Sequence, residues 1–327
     1  MEIRKVQKTG GSTFIVSLPK DWILKNNINE GDLLSIIENE GGNLIIGKEL
    51  SERHEQKEIV LNVQNEKEDL ILRKLIAIYL SGFNTIRISA EFLSDDIKNA
   101  IKKFTTLSLG VEIIEETNKY VLIQDLSRFS DFLMEKIFQR LYIMTENMVN
   151  DTKNLILNFD KTLALDIIDR DMQIDRVFWL ISKQFYMALK NNNILKDQGI
   201  DITRAFNLRS IAKLFERIGD HSVSISYVAL ENKIINGNEL LPYFDETIEI
   251  FRNSYKSYKN LDVESANSEI EKSHIFSKKA RELLKNLERK KIKDIVGISS
   301  IVESLIRIAM YSADLAEITI DEKMSNF

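Results

Sequence analysis

Glu216 and Asp220 stand four residues apart in the run SIAKLFERIGDHSVSISYV, Ser210 to Val228. In a helix that spacing puts two carboxylates on one face with roughly 5–6 Å between Cβ atoms, where like charges repel. Asp171 and Asp175, in RDMQID, repeat the spacing upstream. Antiparallel packing of the two segments in a bundle brings the four carboxylates together. Such an all-oxygen set, with no thiolate available, suits a hard or borderline divalent or trivalent cation: Mg²⁺, Mn²⁺ or iron. His221 adds a nitrogen only if its ring turns to the same face. The alternative is a solvated acidic face tempered by Arg170, Arg176 and Arg217.

The same run recurs without a gap ninety positions later as SIVESLIRIAMYSADLAEI, Ser300 to Ile318. Ser210/Ser300, Ile211/Ile301, Arg217/Arg307, Ile218/Ile308 and Ser222/Ser312 are shared, which is the signature of an internal repeat. Ile306 and Met310 replace Glu216 and Asp220 in the second copy, so one half keeps a candidate metal site and the other reads as core.

Other chemistries find less support. A ferritin-like di-iron site needs two Glu-x-x-His pairs, and only Glu271-x-x-His274 fits. No nucleophile and base stand out as a catalytic centre, although a metal-bound water at the four acids would need none. The expectation is a chain that is not an enzyme. Met144, Met148 and Met172 read as core filler. Near the N-terminus Arg4, Lys5, Lys8, Lys20 and Lys25 are candidate phosphate contacts, doubled on a two-fold dimer. Glu2, Asp21, Glu30 and Asp32 nearly balance them, so ordinary surface charge is the competing reading.

The elements that must carry these residues fall into three regions. Residues 1 to about 50 hold short strands at Ile3–Thr9, Thr13–Ser17, Leu33–Glu38 and Leu44–Ile46, a Gly10-Gly11 turn, a Glu40–Asn43 turn, and a short helix entered at Pro19. They have too few large apolar side chains to close a core alone, which calls for a partner chain. Residues 58–125 alternate strand and helix, ending in a hairpin turned at Thr117-Asn118, and predict a small α/β module with crossover connections. It carries no glycine-rich phosphate loop and reads as a spacer or interaction module. From Phe129 onward the pattern predicts helices over 130–158, 161–192, 202–233, 239–258, 262–290 and 294–323, two three-helix bundles in tandem at 129–233 and 239–323.

At 327 residues the chain is too long for one ordinary core. It is 44% hydrophobic and 29% charged, as in soluble globular proteins. Zero cysteines exclude a disulfide framework, a thiolate zinc site and a cysteine nucleophile. A net charge of −5 argues against coating nucleic acid non-specifically but permits a local basic patch. The start has no apolar signal region and no stretch approaches about 20 uninterrupted apolar residues, so a cytoplasmic protein without membrane insertion is expected.

Two resemblances rest on these residues. VQKTGGSTFIVSLPKDWILKNNINEGDLLSI resembles a swapped-hairpin AbrB/SpoVT-type domain through Gly-Gly-Ser-Thr, Leu-Pro-Lys and Gly-Asp, and this implies an intertwined homodimer that binds DNA. Arg4 is its single arginine. Residues 130 to 323 resemble PhoU, the phosphate-uptake regulator of two three-helix bundles. Asp171 to Asp175 and Glu216 to Asp220 match its Glu/Asp-x-x-x-Asp motifs, and ERIGDHS is the most specific match. That resemblance implies a surface metal site at Asp171, Asp175, Glu216 and Asp220. In the second repeat Asn267, Glu271, Ile306 and Met310 hold the matching places, so one full site is implied. Together the two domains are similar to an archaeal type of PhoU-related regulator. They imply phosphate homeostasis through DNA binding or, alternatively, an adaptor without DNA contact that docks on a phosphate transporter ATPase or sensor kinase.

Overall fold

The computed structural model describes residues 2–38, 42–48, 58–127, 133–191, 193–196, 198–232, 237–289 and 295–325. The turn at Glu40-Gly41 and the residue His54 lie outside them. The chain divides into two compact units, Met1–Glu55 and Gln56–Phe327.

The first unit is two antiparallel ribbons and a short helix. β1 (Gln7–Thr9) pairs with β2 (Thr13–Ile15), shorter than the sequence predicts, and β3 (Leu34–Glu38) pairs with β4 (Leu44–Lys48). The turn between β1 and β2 puts Gly10 at φ +63°, a left-handed conformation that favours glycine. Between the ribbons lies α1 (Lys20–Lys25), with Pro19 at its N-cap.

The second unit begins with the α/β module: β5 (Glu58–Asn62), α2 (Glu68–Leu80), β6 (Thr85–Ser89), α3 (Asp95–Leu107), β7 (Val111–Glu116) and β8 (Tyr120–Asp125). The sheet order is β5-β6-β8-β7. β5 and β6 are parallel neighbours, whereas β8 runs antiparallel between β6 and β7, so α3 also connects two strands of one direction. Ser94 caps α3 by accepting from Ile97 N, and Ile97, Ala100, Ile101 and Phe104 form its buried stripe. With Ile71, Leu75, Ile86, Ile88 and Ile123 they make the module's core.

Six long helices follow: α4 (Met134–Leu157), α5 (Lys161–Lys190), α7 (Ile202–Asn232), α8 (Leu241–Asn260), α9 (Val263–Arg289) and α10 (Ile295–Ser325), with a one-turn α6 (Asn193–Lys196) that the sequence does not announce. Asp160 caps α5 by accepting from Thr162 N. The two repeats share one core. Phe138 and Tyr142 of α4, Phe215 of α7, and Phe251 and Tyr255 of α8 meet there, Tyr142 and Tyr255 stacked with ring centroids 3.5 Å apart. Glu322 of α10 accepts from Arg204 and Asn207 of α7, tying the third helices of the repeats together. Among the described residues α10 alone is long and apolar enough to cross a membrane, and half of its most apolar window is buried.

The module packs on the first repeat through α5. Lys183, 1% exposed, is ion-paired with Asp125 of β8, and its ammonium lies 4.1 Å from the Tyr79 ring centroid. Asp125 Oδ1 accepts from the amide and hydroxyl of Ser127, at 2.9 and 2.6 Å. Burial pulls the Lys183 pKa down while Asp125 pushes it up. Trp179 packs against both cores, and Lys190 Nζ donates to Ser81 O at 2.6 Å. Met172, expected as core filler, is instead half-exposed beside Asn99, Lys102 and Lys103 of α3. Met148 is buried and Met144 partly so.

Candidate metal centre

α5 and α7 are antiparallel neighbours, and α5 comes close to α7 at a position where α7 has no side chain. A Cβ on Gly219 would meet Ile174 Cδ1 at 3.1 Å and Asp171 Oδ1 at 3.5 Å. The glycine in ERIGDHS therefore lets α5 press its acidic turn onto α7. Ile174, Val177 and Ile181 on α5 and Ile211, Phe215 and Ile218 on α7 fill the core behind it.

The four acids lie within electrostatic reach of one another. Burial is the main cause that raises the Asp171 pKa from 3.8 to about 6, followed by the charges of Asp220 and Glu216. Asp175 rises to about 7, again chiefly through burial, with Asp171, Glu216 and Asp220 adding to it and Lys213 opposing. Asp220 is raised by burial and by Glu216. All six pairings of the four carboxylates thus carry repulsion. Two cations temper it: Lys213 Nζ donates to Glu216 Oε2 at 2.6 Å, and Arg217 Nε lies 3.9 Å from the same oxygen. Arg170 faces elsewhere, on Asp151 and Asp166.

Asp171 Oδ1 is buried and has no hydrogen-bond partner. A carboxylate oxygen in that position is costly unless a proton or a cation joins it. The donor chemistry therefore fits a hard cation. The side-chain positions do not yet gather it: among the described residues no three His, Cys, Asp or Glu side chains are grouped as an ion requires. Glu216 is held by Lys213, so an ion at this oxygen would have to displace that ammonium.

His221 turns away from this cluster. Its ring lies 5.9 Å from that of Tyr311 on α10, and burial, with Arg307 and Arg217, lowers its pKa. In the second repeat Ile306 is 2% exposed and Met310 packs against the core, while Asn267 donates to Glu271 at 3.1 Å on the exposed face of α9. Glu271 and His274 are both exposed. The Lys183–Asp125 pair that anchors the module escaped sequence reasoning, because a lone lysine in an apolar stretch carries no mark of its partner.

In the N-terminal unit no described residue is buried. Phe14, Leu24, Leu33, Ile36 and Leu44 are each more than half exposed. Lys5, Lys8, Lys20 and Lys25 are exposed, and Arg4 is ion-paired with Glu2 at 2.9 Å.

Comparison with known proteins places two families on these geometries. Residues 138–229 match the PhoU domain, and residues 7–54 match the family described as antidote-toxin recognition MazE, bacterial antitoxin. The crystal structure of PhoU from Pseudomonas aeruginosa is similar with a TM-score of 0.51 at 17% identity, over 59% of this chain and 96% of that one. That of the phosphate transport system regulatory protein PhoU from Streptococcus pneumoniae has a TM-score of 0.49 at 17% identity, over 61% and 98%. No curated protein sequence matches the chain.

Proposed function

Because residues 138–229 are a PhoU domain and residues 7–54 a MazE-type domain, we propose that the chain is a dimeric phosphate-responsive regulator. In this reading the N-terminal unit binds DNA and the helical bundle senses phosphate status with a bound metal. The exposed apolar surface of the N-terminal unit carries the reading. Two-stranded ribbons are marginal alone, and Phe14, Leu24, Leu33 and Ile36 lie open to solvent, so a second copy supplies the missing core. Dimerisation doubles the exposed Lys5, Lys8, Lys20 and Lys25, with Arg4 joining once phosphate competes with Glu2.

Asp171, Asp175, Glu216 and Asp220 would hold the metal, iron, Mn²⁺ or Mg²⁺, which would neutralise the mutual repulsion and fill the valence of Asp171 Oδ1. Anchoring of α5 to the α/β module gives a route outward: a metal with different affinity for two positions of α5 shifts their populations. No catalytic role is assigned to these acids, and the protein acts in the cytoplasm.

Fluorescence anisotropy of the full chain on its own upstream DNA and on scrambled DNA, at two salt concentrations, tests the reading. The expected result is preference for the upstream sequence, altered by phosphate or by metal. Arg4→Ala and Lys8→Ala are expected to weaken binding about equally on all sequences and flatten the salt dependence. Weak binding, equal on both DNAs and lost in salt, removes DNA recognition and favours an adaptor that uses the N-terminal unit only to dimerise. The adaptor reading has its own observation, a bare helical face on the second repeat.

A further inference from the structure

The two repeats differ in what covers their second helices. Asn267 and Glu271 on α9 stand where α5 has Asp171 and Asp175. The same correspondence pairs Val177, Leu180, Ile181 and Gln184 with Ser273, Phe276, Ser277 and Ala280, and all eight are buried. It also pairs Met172 with Ser268, Arg176 with Lys272, Trp179 with Ile275 and Lys183 with Lys279. On α5 that stripe lies under the α/β module. Met172 lies beside α3, Arg176 lies within electrostatic reach of Tyr79, Trp179 packs against the module's core and Lys183 is paired with Asp125. On α9 no second module covers it among the described residues: Lys279 pairs with Glu246 of α8, and Ile275, the counterpart of Trp179, is 63% exposed.

This bare stripe forms one wall of a groove between α8 and α9. Its upper part, about 520 Å³, is lined by Pro242, Glu249, Ile250, Glu269, Lys272 and Ile275. A lower part of about 340 Å³ continues past Glu269 and Lys272 to Asp262 at the α8–α9 turn. Glu269 is 4% exposed, yet only half of its carboxylate is paired. Lys272 Nζ donates to Oε1 at 2.7 Å, while Oε2 is buried without a hydrogen-bond partner. Among the described residues Glu249 makes no ion pair, although its charge reaches Lys272. Asp245 and Glu246 at the rim are already paired with Lys153 and Lys279.

A buried carboxylate oxygen beside Glu249, which makes no ion pair among the described residues, in a groove floored in part by Ile250, leaves a place for a donor and an apolar cover. We infer that the α8–α9 groove of the second repeat is a docking site for an amphipathic helix of a partner protein, with an arginine of that helix donating to Glu269 and Glu249 and apolar side chains covering Ile275. The inference is independent of DNA binding and of the metal. A guanidinium suits the place because its five N–H donors can serve two carboxylates at once. The first repeat shows how such a face is covered, since there two helices of the module pack on α5.

The absence of native cysteine makes the test direct. The full chain carrying Ile275→Cys, labelled with an environment-sensitive dye, is titrated with a helical peptide of about 18 residues, five turns, bearing leucines and arginines on one face. Saturable binding with a blue shift is expected. It should be at least about tenfold tighter than for the same peptide with glutamates in place of the arginines, and about tenfold weaker on Glu269→Gln. Glu249→Lys, an exposed change that spares the core, should weaken it as well. Glu303→Gln, on the exposed side of α10, should leave it unchanged. Equal binding of the two peptides, or indifference to both Glu269→Gln and Glu249→Lys, overturns the inference. So does Mn²⁺ binding lost in Glu269→Gln, which makes the groove a cation site. A change of oligomeric state in unlabelled Ile275→Glu by sedimentation overturns it too, because a second copy would then be the occupant.

Discussion

The two repeats solve the same packing problem and spend their outer faces differently. The third helix of the first, α7, presents Glu216 and Asp220 to two more acids on α5; in the second, α10 presents Ile306 and Met310 and closes into core. The second helix of the first, α5, lies under the α/β module through Trp179 and Lys183. Its counterpart α9 leaves Ile275 open and pairs Lys279 with Glu246 in an exposed position. Shared heritage fixes where a side chain points. What meets it there decides whether it becomes part of an acidic cluster, an anchor, core or open surface.

The sharpest way to break that comparison is to give the second repeat the first repeat's acid. Ile306→Glu places an unpaired charge at a 2% exposed position and is expected to cost about 3 kcal/mol or more in urea unfolding. Glu216→Ala with Asp220→Ala should leave the fold intact and remove bound metal, since the loss of repulsion offsets the loss of ligands. Tolerance of Ile306→Glu would mean that the second site is latent rather than lost.

Lys183→Met leaves Asp125 buried without its cation and should cost about 3 kcal/mol. Adding Asp125→Leu should recover much of the loss, whereas Lys279→Met at the exposed counterpart should stay within about 0.5 kcal/mol. A small effect at Lys183 would show that the apolar seam around Trp179 anchors the module by itself.

The acid cluster gives a pH dependence of known sign. Asp171 and Asp175 have folded pKa values of about 6 and 7, raised from 3.8. Their contribution to stability is complete below about pH 4 and is lost as pH rises through 7, because the folded state holds the protons more tightly. After allowance for screening, metal-free protein should lose about 2 kcal/mol from this source between pH 4 and pH 8. Asp175→Asn should flatten the loss, and so should saturating Mn²⁺. A loss unchanged by both would place the titration elsewhere.

A small effect on stability is expected at Gly219→Ala. The new methyl meets Ile174 Cδ1, the end of a side chain, at 3.1 Å, so a shift of a few tenths of an ångström relieves it and stability should change by about 1 kcal/mol or less. It also lies 3.5 Å from Asp171 Oδ1 and shields that oxygen from an ion. Metal affinity should therefore fall while the melting temperature hardly moves. Unchanged metal binding by calorimetry would remove Asp171 from the ligand set.

Much of this architecture was legible from local pattern. The six long helices follow the predicted spans to within a few residues, because 3.6-residue periodicity runs unbroken between Asn- and Gly-marked turns. β6 spans Thr85–Ser89 as expected, bounded by turn residues on both sides. β1 was overextended at its N-terminal end and β2 at its C-terminal end, since an exposed ribbon has no buried face to set its length. The four-residue spacing brought Asp171, Asp175, Glu216 and Asp220 into one field, but it carried no information on the rotamer that ties Glu216 to Lys213 or on the tilt of His221 toward Tyr311.

By itself, then, the sequence determined the helices, the repeat, the loss of acids from the second copy and the chemistry of the four carboxylates, because periodicity and residue type are local properties. Tertiary structure alone decided that Gly219 admits Asp171 to the α5–α7 seam, that Lys183 finds Asp125 across the module, and that Glu269 is buried half-paired in an open groove. Each of these depends on which helix face meets which neighbour, and that is set by packing between segments far apart in the chain.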